Sequence, residues 1–379
     1  MRSGDTSLLR RQNTVAVMTL LRDGDPRSLT DLAAEAGLSR PTVEGIVESL
    51  DAAGWITSVA APAGQPGRPG RLYGFRDDGG HVLGIDIGSA TIRAAVADLS
   101  GRIVGETTRA VSPEDGRAAR LSAMHKTARA ALRKAGVTAD RIGAVCVGTT
   151  GTVDADGTVG LSDALPDWSG VDLAGAIREQ YDGAVVIEND CHLAATAEAW
   201  KGVATGLGNV VYIHCGHRTG AGILIDGRLY RGAHGMSGEI GALPVIGWHR
   251  AAAHLTEYGR ATGAKGFDAK AVFAAAAAGD ADAERAVTRY AADLAEGVAA
   301  LVLTLDPHLV VLGGGVSAAQ DDLVRPLAAA LKPLCLRVPE LAISTLGERT
   351  VLVGALKHAL DTFDAELYRL DEPLARPRG

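Results

Sequence analysis

From residue 82 onward one order of apolar segments runs through the chain twice, and this order limits the fold more than any other feature. In the first run, “VLGIDIG”, “TIRAAVAD” and “RIV” are an apolar strand, an alternating strand and a third strand, joined by tight turns. Residues 117–135 then have a helical pattern, “IGAVCVG” reads as a buried strand, “VDLAGAIREQY” as a helix and “GAVVIEND” as a strand, with a further helix from “CHLAATAEAW”. In the second run “NVVYIHCG”, “GAGILID” and “RLYRG” are strands and residues 282–304 a long helix. “LVVLGGG” is a strand ending in a glycine turn, and “LAIST” is a strand before a C-terminal helix. Two lobes of the same order predict a duplicated α/β body with a cleft between them, where a ligand binds by default.

Composition removes several classes of function. The chain of 379 residues is 47% hydrophobic and 22% charged, long enough for two or three domains with cores of their own. Its longest apolar run, “AVFAAAAAG”, is too short and too rich in alanine to span a bilayer, and “MRSGDTSLLRRQN” lacks a signal peptide's apolar stretch. A cytoplasmic protein without a membrane partner is expected. Cys146, Cys191, Cys215 and Cys335 are dispersed, with no Cys-x-x-Cys, so they read as buried thiols. The net charge of −7 is uneven: residues 1–76 hold nine arginines against eight carboxylates, leaving the acidity to the rest.

That mildly basic head carries its own pattern, “SLTDLAAEAGLSRPTVEGIVESLDAAGWI”. Ser28 with Asp31 forms a short capping box, and Gly37 ends the helix. Ser39 caps the next helix and Pro41 lies in its first turn. Val43, Ile46, Val47 and Leu50 fall on one face, leaving Arg40, Thr42, Glu44, Gly45 and Glu48 outward. Two short helices around a Gly-Leu-Ser turn predict a helix-turn-helix. “WITSVA” and “RLYGF” then predict a hairpin whose loop, “PAGQPGRPG”, presents Arg68 and Arg71 as a wing. The DNA-facing set is Ser39, Arg40, Thr42, Glu44, Arg68 and Arg71, with the carboxylate able to accept from cytosine N4. The alternative is a helical bundle that binds a protein or only joins domains.

“GIDIGSATIRAAVADLSG”, “VIENDCHLAATAEAW”, “GAGILIDGRLYRGAHGMSGEIGALPV” and “LVVLGGGVS” resemble the ROK family of repressors, open reading frames and sugar kinases, over nearly the whole chain. The resemblance implies a winged helix-turn-helix over 1–78, then an actin/hexokinase-like body of two ribonuclease-H-like lobes, 79–196 and 197–379, with the C-terminal helix packing back on the first. Members with a winged head are mostly repressors released by sugars; members without one are mostly kinases. By this resemblance Asn189 and Asp190 bind sugar, Asp190 being the place of the catalytic base. Glu239 in “GEIG” is a further sugar ligand, and Glu257 stands where another is found. Taken alone, Asn189-Asp190 also reads as a helix N-cap, and Glu239 as a solvated turn carboxylate.

Departures from the family pattern decide between its two activities. The family's histidine after “GEIG” is Ala242, and its cysteine-rich zinc loop is absent, so no metal or other cofactor is expected; His249 and His254 read as structural or surface residues. The first phosphate turn, normally Asp-x-Gly-Gly-Thr, is Asp86-Ile-Gly88-Ser89-Ala90. The second keeps Gly216, Gly220 and Gly222 but places His217 and Arg218 between them, where arginine fills phosphate space. Gly313 and Gly314 stand at the adenosine place, or form an ordinary strand–helix turn. The expectation is a regulator without kinase activity that binds operator double-stranded DNA, senses a sugar or sugar derivative, and works as a homodimer or homotetramer. The alternatives are an ATP-dependent sugar kinase and a DNA-binding protein whose body is a ligand-free dimerisation scaffold.

Overall fold

Ser28 and Ser39 start the two helices that organise the head. The computed structural model describes residues 3–22, 24–60, 71–263, 269–315, 321–369 and 377. The head contains α1 (Ser3–Arg22), α2 (Leu29–Ala36), α3 (Arg40–Ala53), β1 (Ile56–Ala60) and β2 (Arg71–Phe75). Ser28 and Asp31 complete the capping box at α2, and Gly37 ends it in the left-handed region with φ 66°. Ser39 caps α3. Val43, Ile46, Val47 and Leu50 are buried against Leu32 and against Val17, Met18 and Leu21 of α1, a helix the sequence reading did not anticipate. β1 and β2 pair antiparallel. The wing loop with Arg68 lies outside the described residues.

The body has two sheets of matching order. The first is built from β3 (His81–Ile87), β4 (Thr91–Asp98), β5 (Ile103–Ala110), β6 (Ile142–Thr149) and β7 (Ala184–Asn189). Its helices are α4 (Arg117–Ala135), α5 (Leu173–Arg178) and α6 (Asp190–Lys201). The second holds β8 (Val210–Cys215), β9 (Thr219–Ile225), β10 (Arg228–Leu229), β11 (Leu309–Gly313) and β12 (Glu340–Ile343). It is accompanied by α7 (Trp248–Ala261), α8 (Ala269–Ala277), α9 (Ala281–Leu305), α10 (Asp321–Leu331) and α11 (Thr350–Leu367). The spatial orders are β5-β4-β3-β6-β7 and β10-β9-β8-β11-β12. In each, the first three strands form an antiparallel meander and the last two join in parallel. This is the two-lobed actin/hexokinase-like body, and the repeated order in the sequence is the repeated order of its sheets.

Two helices join the parts. α6 packs on β8 and β9 of the second sheet and along α11. α11 returns to cover β3 and β6 of the first sheet. The contact between α6 and α11 is so close that a Cβ on Gly354 would lie 1.9 Å from the carbonyl oxygen of Leu193. One apolar cluster runs from Val17 and Leu50 in the head through Trp55 to Leu356, Leu360 and Phe363 on α11, and on to Leu193 of α6. Trp55 meets Phe363 edge to face at 6.3 Å between centroids. Arg22 pairs with Asp364 at 3.0 Å, and Arg11 donates to the carbonyls of Leu367 and Arg369 at 2.9 and 3.0 Å. Head and first lobe thus share one core rather than meeting through a linker.

Candidate functional site

The cleft is lined by turns at strand ends. β7 runs directly into α6, so Asn189 and Asp190 are held at a strand–helix junction. Asn189 is buried and caps the helix: its Oδ1 accepts from the N–H groups of Cys191 and His192 at 2.8 and 3.2 Å, and its Nδ2 donates to the Gly151 carbonyl at 2.9 Å. These bonds leave one amide N–H for any ligand. Asp190 Oδ1 shares the Cys191 N–H at 2.8 Å.

Glu239 lies in a short 3-10 turn of the segment after β10, following Gly238 at φ 90°. A Cβ at Gly238 would fall 2.3 Å from the Ala221 carbonyl oxygen, so glycine is needed both for φ and for space. Glu239 opens to solvent yet is hemmed in by protein. That burial raises its proton affinity, with the charges of Asp190 and Asp163 adding to the effect and that of His192 opposing it. Among the described residues no group donates a hydrogen bond to it. Asp190 and Glu239 thus share one electrostatic site, rich in acceptors, suited to a ligand rich in hydroxyl donors. Glu257 is exposed on α7 and is not among the charges acting on Glu239. Residues 248–261 form a regular amphipathic helix with Trp248, Ala251, Ala252, Leu255 and Gly259 inward, which leaves Glu257 on the outer face.

The two turns that the sequence likens to phosphate loops are tied to the chain's own side chains. Gly88 N–H bonds to the Thr91 carbonyl at 2.9 Å, closing a tight turn that sets Asp86 opposite Arg93 in the β3–β4 register. Arg93 Nη1 lies 3.6 Å from Asp86 Oδ2 and donates to Thr91 Oγ1 at 2.8 Å, and its other nitrogen pairs with Glu348. Burial lifts Asp86 to about 7, with Arg93 opposing the shift and Asp190 assisting it. The sequence reading missed Arg93; a turn centred on Ser89-Ala90 necessarily places residues 86 and 93 face to face.

In the second turn only Gly216 to Arg218 lie between the strands; Gly220 and Gly222 are inside β9, facing His214 and Tyr212. Their missing side chains make room for α6: a Cβ would meet Cys191 Sγ at 2.7 Å from Gly220, and the Cys191 carbonyl oxygen at 2.1 Å from Gly222. The glycines of this spacing also form a helix-packing surface. Arg218 reaches over to the first lobe, where Nη2 donates to the Asp163 carbonyl at 2.5 Å and Nη1 sits 3.4 Å from Asp163 Oδ2. Gly313 and Gly314 likewise accommodate neighbours, Tyr212 Oη at 2.3 Å and the Cys215 carbonyl at 2.8 Å from the respective Cβ positions.

The residues in place of the zinc loop do not fit that metal. No cysteine lies on α7, His249 Nδ1 bonds the Ile246 carbonyl at 2.9 Å, and His254 Nε2 pairs with Asp293 at 2.9 Å. Among the described residues no three histidine, cysteine or acidic side chains gather to hold a metal ion, and no helix is long and apolar enough to cross a membrane. On the head, Ser39, Arg40, Thr42 and Glu44 form an exposed N-terminal face of α3, and Arg71 is exposed where β2 begins. Ser39 Oγ is also 2.8 Å from Thr42 Oγ1, so these two hydroxyls brace one another.

Comparison with known proteins agrees with this geometry. Residues 82–251 and 250–361 match the ROK family, and residues 12–60 match the IclR helix-turn-helix domain. A glucokinase of Halalkalibacterium halodurans is 30% identical over 316 residues, covering 72% of this chain and 92% of that protein. The xylose repressor of Bacillus subtilis is 26% identical over 248 residues, 64% of this chain and 62% of the repressor, so the match spans less than two thirds of its length. Among solved structures, a ROK family transcriptional regulator, a homolog of the E. coli MLC protein, superposes with TM-score 0.76 at 21% identity, over 96% of this chain and all of that one. A ROK family glucokinase from Streptomyces griseus, in complex with glucose and AMPPNP, has TM-score 0.65 at 25% identity over 74% of this chain and all of its own.

Proposed function

The chain belongs to the ROK family, and from that premise we propose that it is a sugar-responsive transcriptional repressor without kinase activity. The observation that carries the reading is the asymmetry of the cleft. Among the described residues Asp190 and Glu239 lack cationic ion-pair partners, while Arg93 and Arg218, at the two turns likened to phosphate loops, are already held in ion pairs with Asp86, Glu348 and Asp163. ATP phosphates would need the space of both guanidinium groups and would have to displace Asp86, Glu348 and Asp163 from them. A sugar needs only the acceptors of Asp190 and Glu239 and the remaining N–H of Asn189.

On the DNA side, α3 enters the major groove with Arg40, Thr42 and Glu44 toward base edges or phosphates, and Arg68 and Arg71 serve the wing. Two heads reading paired half-sites require at least a homodimer. Sugar binding draws Glu239 toward Asp190 and shifts α6. The Gly354–Leu193 contact passes the shift to α11, whose far end holds the head through Phe363 and Asp364. The names of the xylose repressors and the match to an IclR helix-turn-helix domain support this reading. The glucokinase relatives support the kinase alternative.

One comparison separates the two. The full chain is used to select duplexes from a random pool, and the selected duplex is titrated with and without a panel of free sugars, beside an assay of ADP formation on the same panel. The expected result is sugar-dependent loss of DNA affinity with no sugar-dependent ADP. ADP formation at ordinary kinase rates, abolished by Asp190→Asn, sinks the proposal. Arg218→Gly alone yields no kinase, because Arg93 still occupies the first turn.

A further inference from the structure

We infer that His192 is a positioning residue of the sensor site: as an imidazolium it clamps the segment carrying Glu239 to the helix carrying Asn189 and Asp190, and it lets go as pH rises. The clamp stands on side-chain geometry, and its use in sensing rests on the function proposed above.

His192 is 1% exposed, in the first turn of α6. Its Nδ1 lies 2.9 Å from Glu188 Oε1 and its Nε2 lies 3.0 Å from the Ser237 carbonyl oxygen. Both partners are acceptors. A neutral imidazole carries one N–H and satisfies one of them; only the imidazolium satisfies both. Ser237 is two residues before Glu239, so the second bond joins the second-lobe segment to the first residues of α6 across the base of the cleft.

The groups around the ring fix which bond yields. Glu188 on β7 also receives Arg231 Nε and the Asn189 N–H, the latter at 2.9 Å. Burial pushes Glu188 up, but His192, Arg231 and that N–H bring it down to about 2, so it is an anion throughout the working range. Arg231, from the segment after β10, in turn meets His358 of α11 at 3.1 Å. Cys146 of β6 lies behind Glu188, and Glu239 feels the ring's charge from the cleft side. For His192 burial favours the neutral form and Arg231 assists it. The bond and charge of Glu188 with the Ser237 carbonyl outweigh them, so the proton is held above the ordinary 6.5. When the ring does deprotonate, the remaining proton stays on Nδ1 facing the carboxylate. Nε2 then turns a lone pair on the Ser237 oxygen, and the clamp is lost. The cation that counters Asp190 and Asp163 at Glu239 disappears in the same step.

The direction follows from linkage. A histidine whose proton affinity is raised by folding contributes below its unfolded value and loses that contribution as pH rises through the folded one. The segment is therefore held at pH below the ordinary histidine value of 6.5 and released as pH rises above it.

The test uses the full chain without ligand. Amide hydrogen exchange, corrected for intrinsic base catalysis, is measured over residues 231–242 from pH 6 to 9 in the wild type and in His192→Gln. The expected result is a wild-type protection that falls at least ten-fold with rising pH and a variant profile without that fall. Imidazole ¹⁵N shifts, assigned by loss of the His192 signal in the variant, should report a cation at pH 6. A wild-type profile flat in pH, or a neutral ring at pH 6, overturns the clamp whether or not the variant folds. Affinities for D-xylose and D-glucose over the same range test its use: should either sugar bind, its affinity falls several-fold toward pH 9 in the wild type only, and a sugar affinity flat in pH overturns the role in positioning. Should neither bind, the sensing reading suffers, and the exchange profile still decides the clamp.

Discussion

Asp86 shows how burial at a strand end sets the chemistry of one side chain. It is buried beside Arg93, within the field of Asp190, and its proton is held to about 7. An acid whose folded value is raised contributes stability below its unfolded value and loses it as pH rises through the folded one. Wild-type stability therefore carries a falling component from about pH 4 to about pH 7, flat above. Asp86→Asn removes the titration while leaving Arg93 its bonds to Thr91 and Glu348. The variant should match the wild type near pH 4 and exceed it by roughly 1–3 kcal/mol at pH 8 in urea unfolding. A wild-type advantage at pH 8 means that the Arg93 pair outweighs burial. Asp86 and Asp190 were legible from the sequence as strand-end carboxylates. Arg93 and His192 were not, because each acts through a partner that only register or a strand–helix junction brings near.

Among the elements, those with strong local signals were read closely and those with a purely tertiary reason were not. α2 and α3 carry serine caps, a left-handed glycine end and a clean apolar face, so their bounds follow from the chain alone. α7 stands where the family has its zinc loop, and its own 3.6-residue apolar pattern is what makes it a helix. Gly220 and Gly222 of β9 carry the spacing of a degenerate phosphate loop, and their packing against Cys191 could not be read because Cys191 is remote in sequence. α3 also carries a direct test of the head. Arg40 is exposed in its first turn. Arg40→Ala should weaken operator binding about ten-fold or more and leave sugar affinity unchanged. If the loss is uniform across DNA sequences and the salt slope drops by about one, Arg40 contacts phosphate; if specificity relaxes at one position, it reads a base. At the α6–α11 contact, Gly354→Val puts side-chain atoms into the Leu193 backbone. It should cost about 3 kcal/mol or more in denaturant unfolding, since neither helix can yield without the sheet beneath it. An undiminished midpoint would mean that the two helices can separate and do not move as one.

At the scale of the molecule, the shared core of head and first lobe makes a regulator rather than two tethered modules. The sequence marks the two parts and their order, with a boundary at residue 78. The actual joint is the far end of the chain, where α11 brings Phe363 under Trp55 and Asp364 to Arg22. A flexible hinge would let the head bind DNA in the same way whatever the body holds. A head packed on α11 must follow it, and α11 follows α6, which begins at Asp190. Phe363→Ala opens a cavity under Trp55 without touching the cleft or the DNA-facing residues. It should lower stability by about 3–5 kcal/mol, keep sugar affinity within two-fold, and keep operator binding measurable at 15 °C, where the fold persists. What it should lose is communication: the ratio of operator affinities without and with saturating sugar falls toward one. That ratio is a coupling free energy and must be the same read from either ligand, so sugar titrations with and without operator give an independent value. A variant that keeps the wild-type ratio in both titrations would exclude α11 as the route between cleft and head.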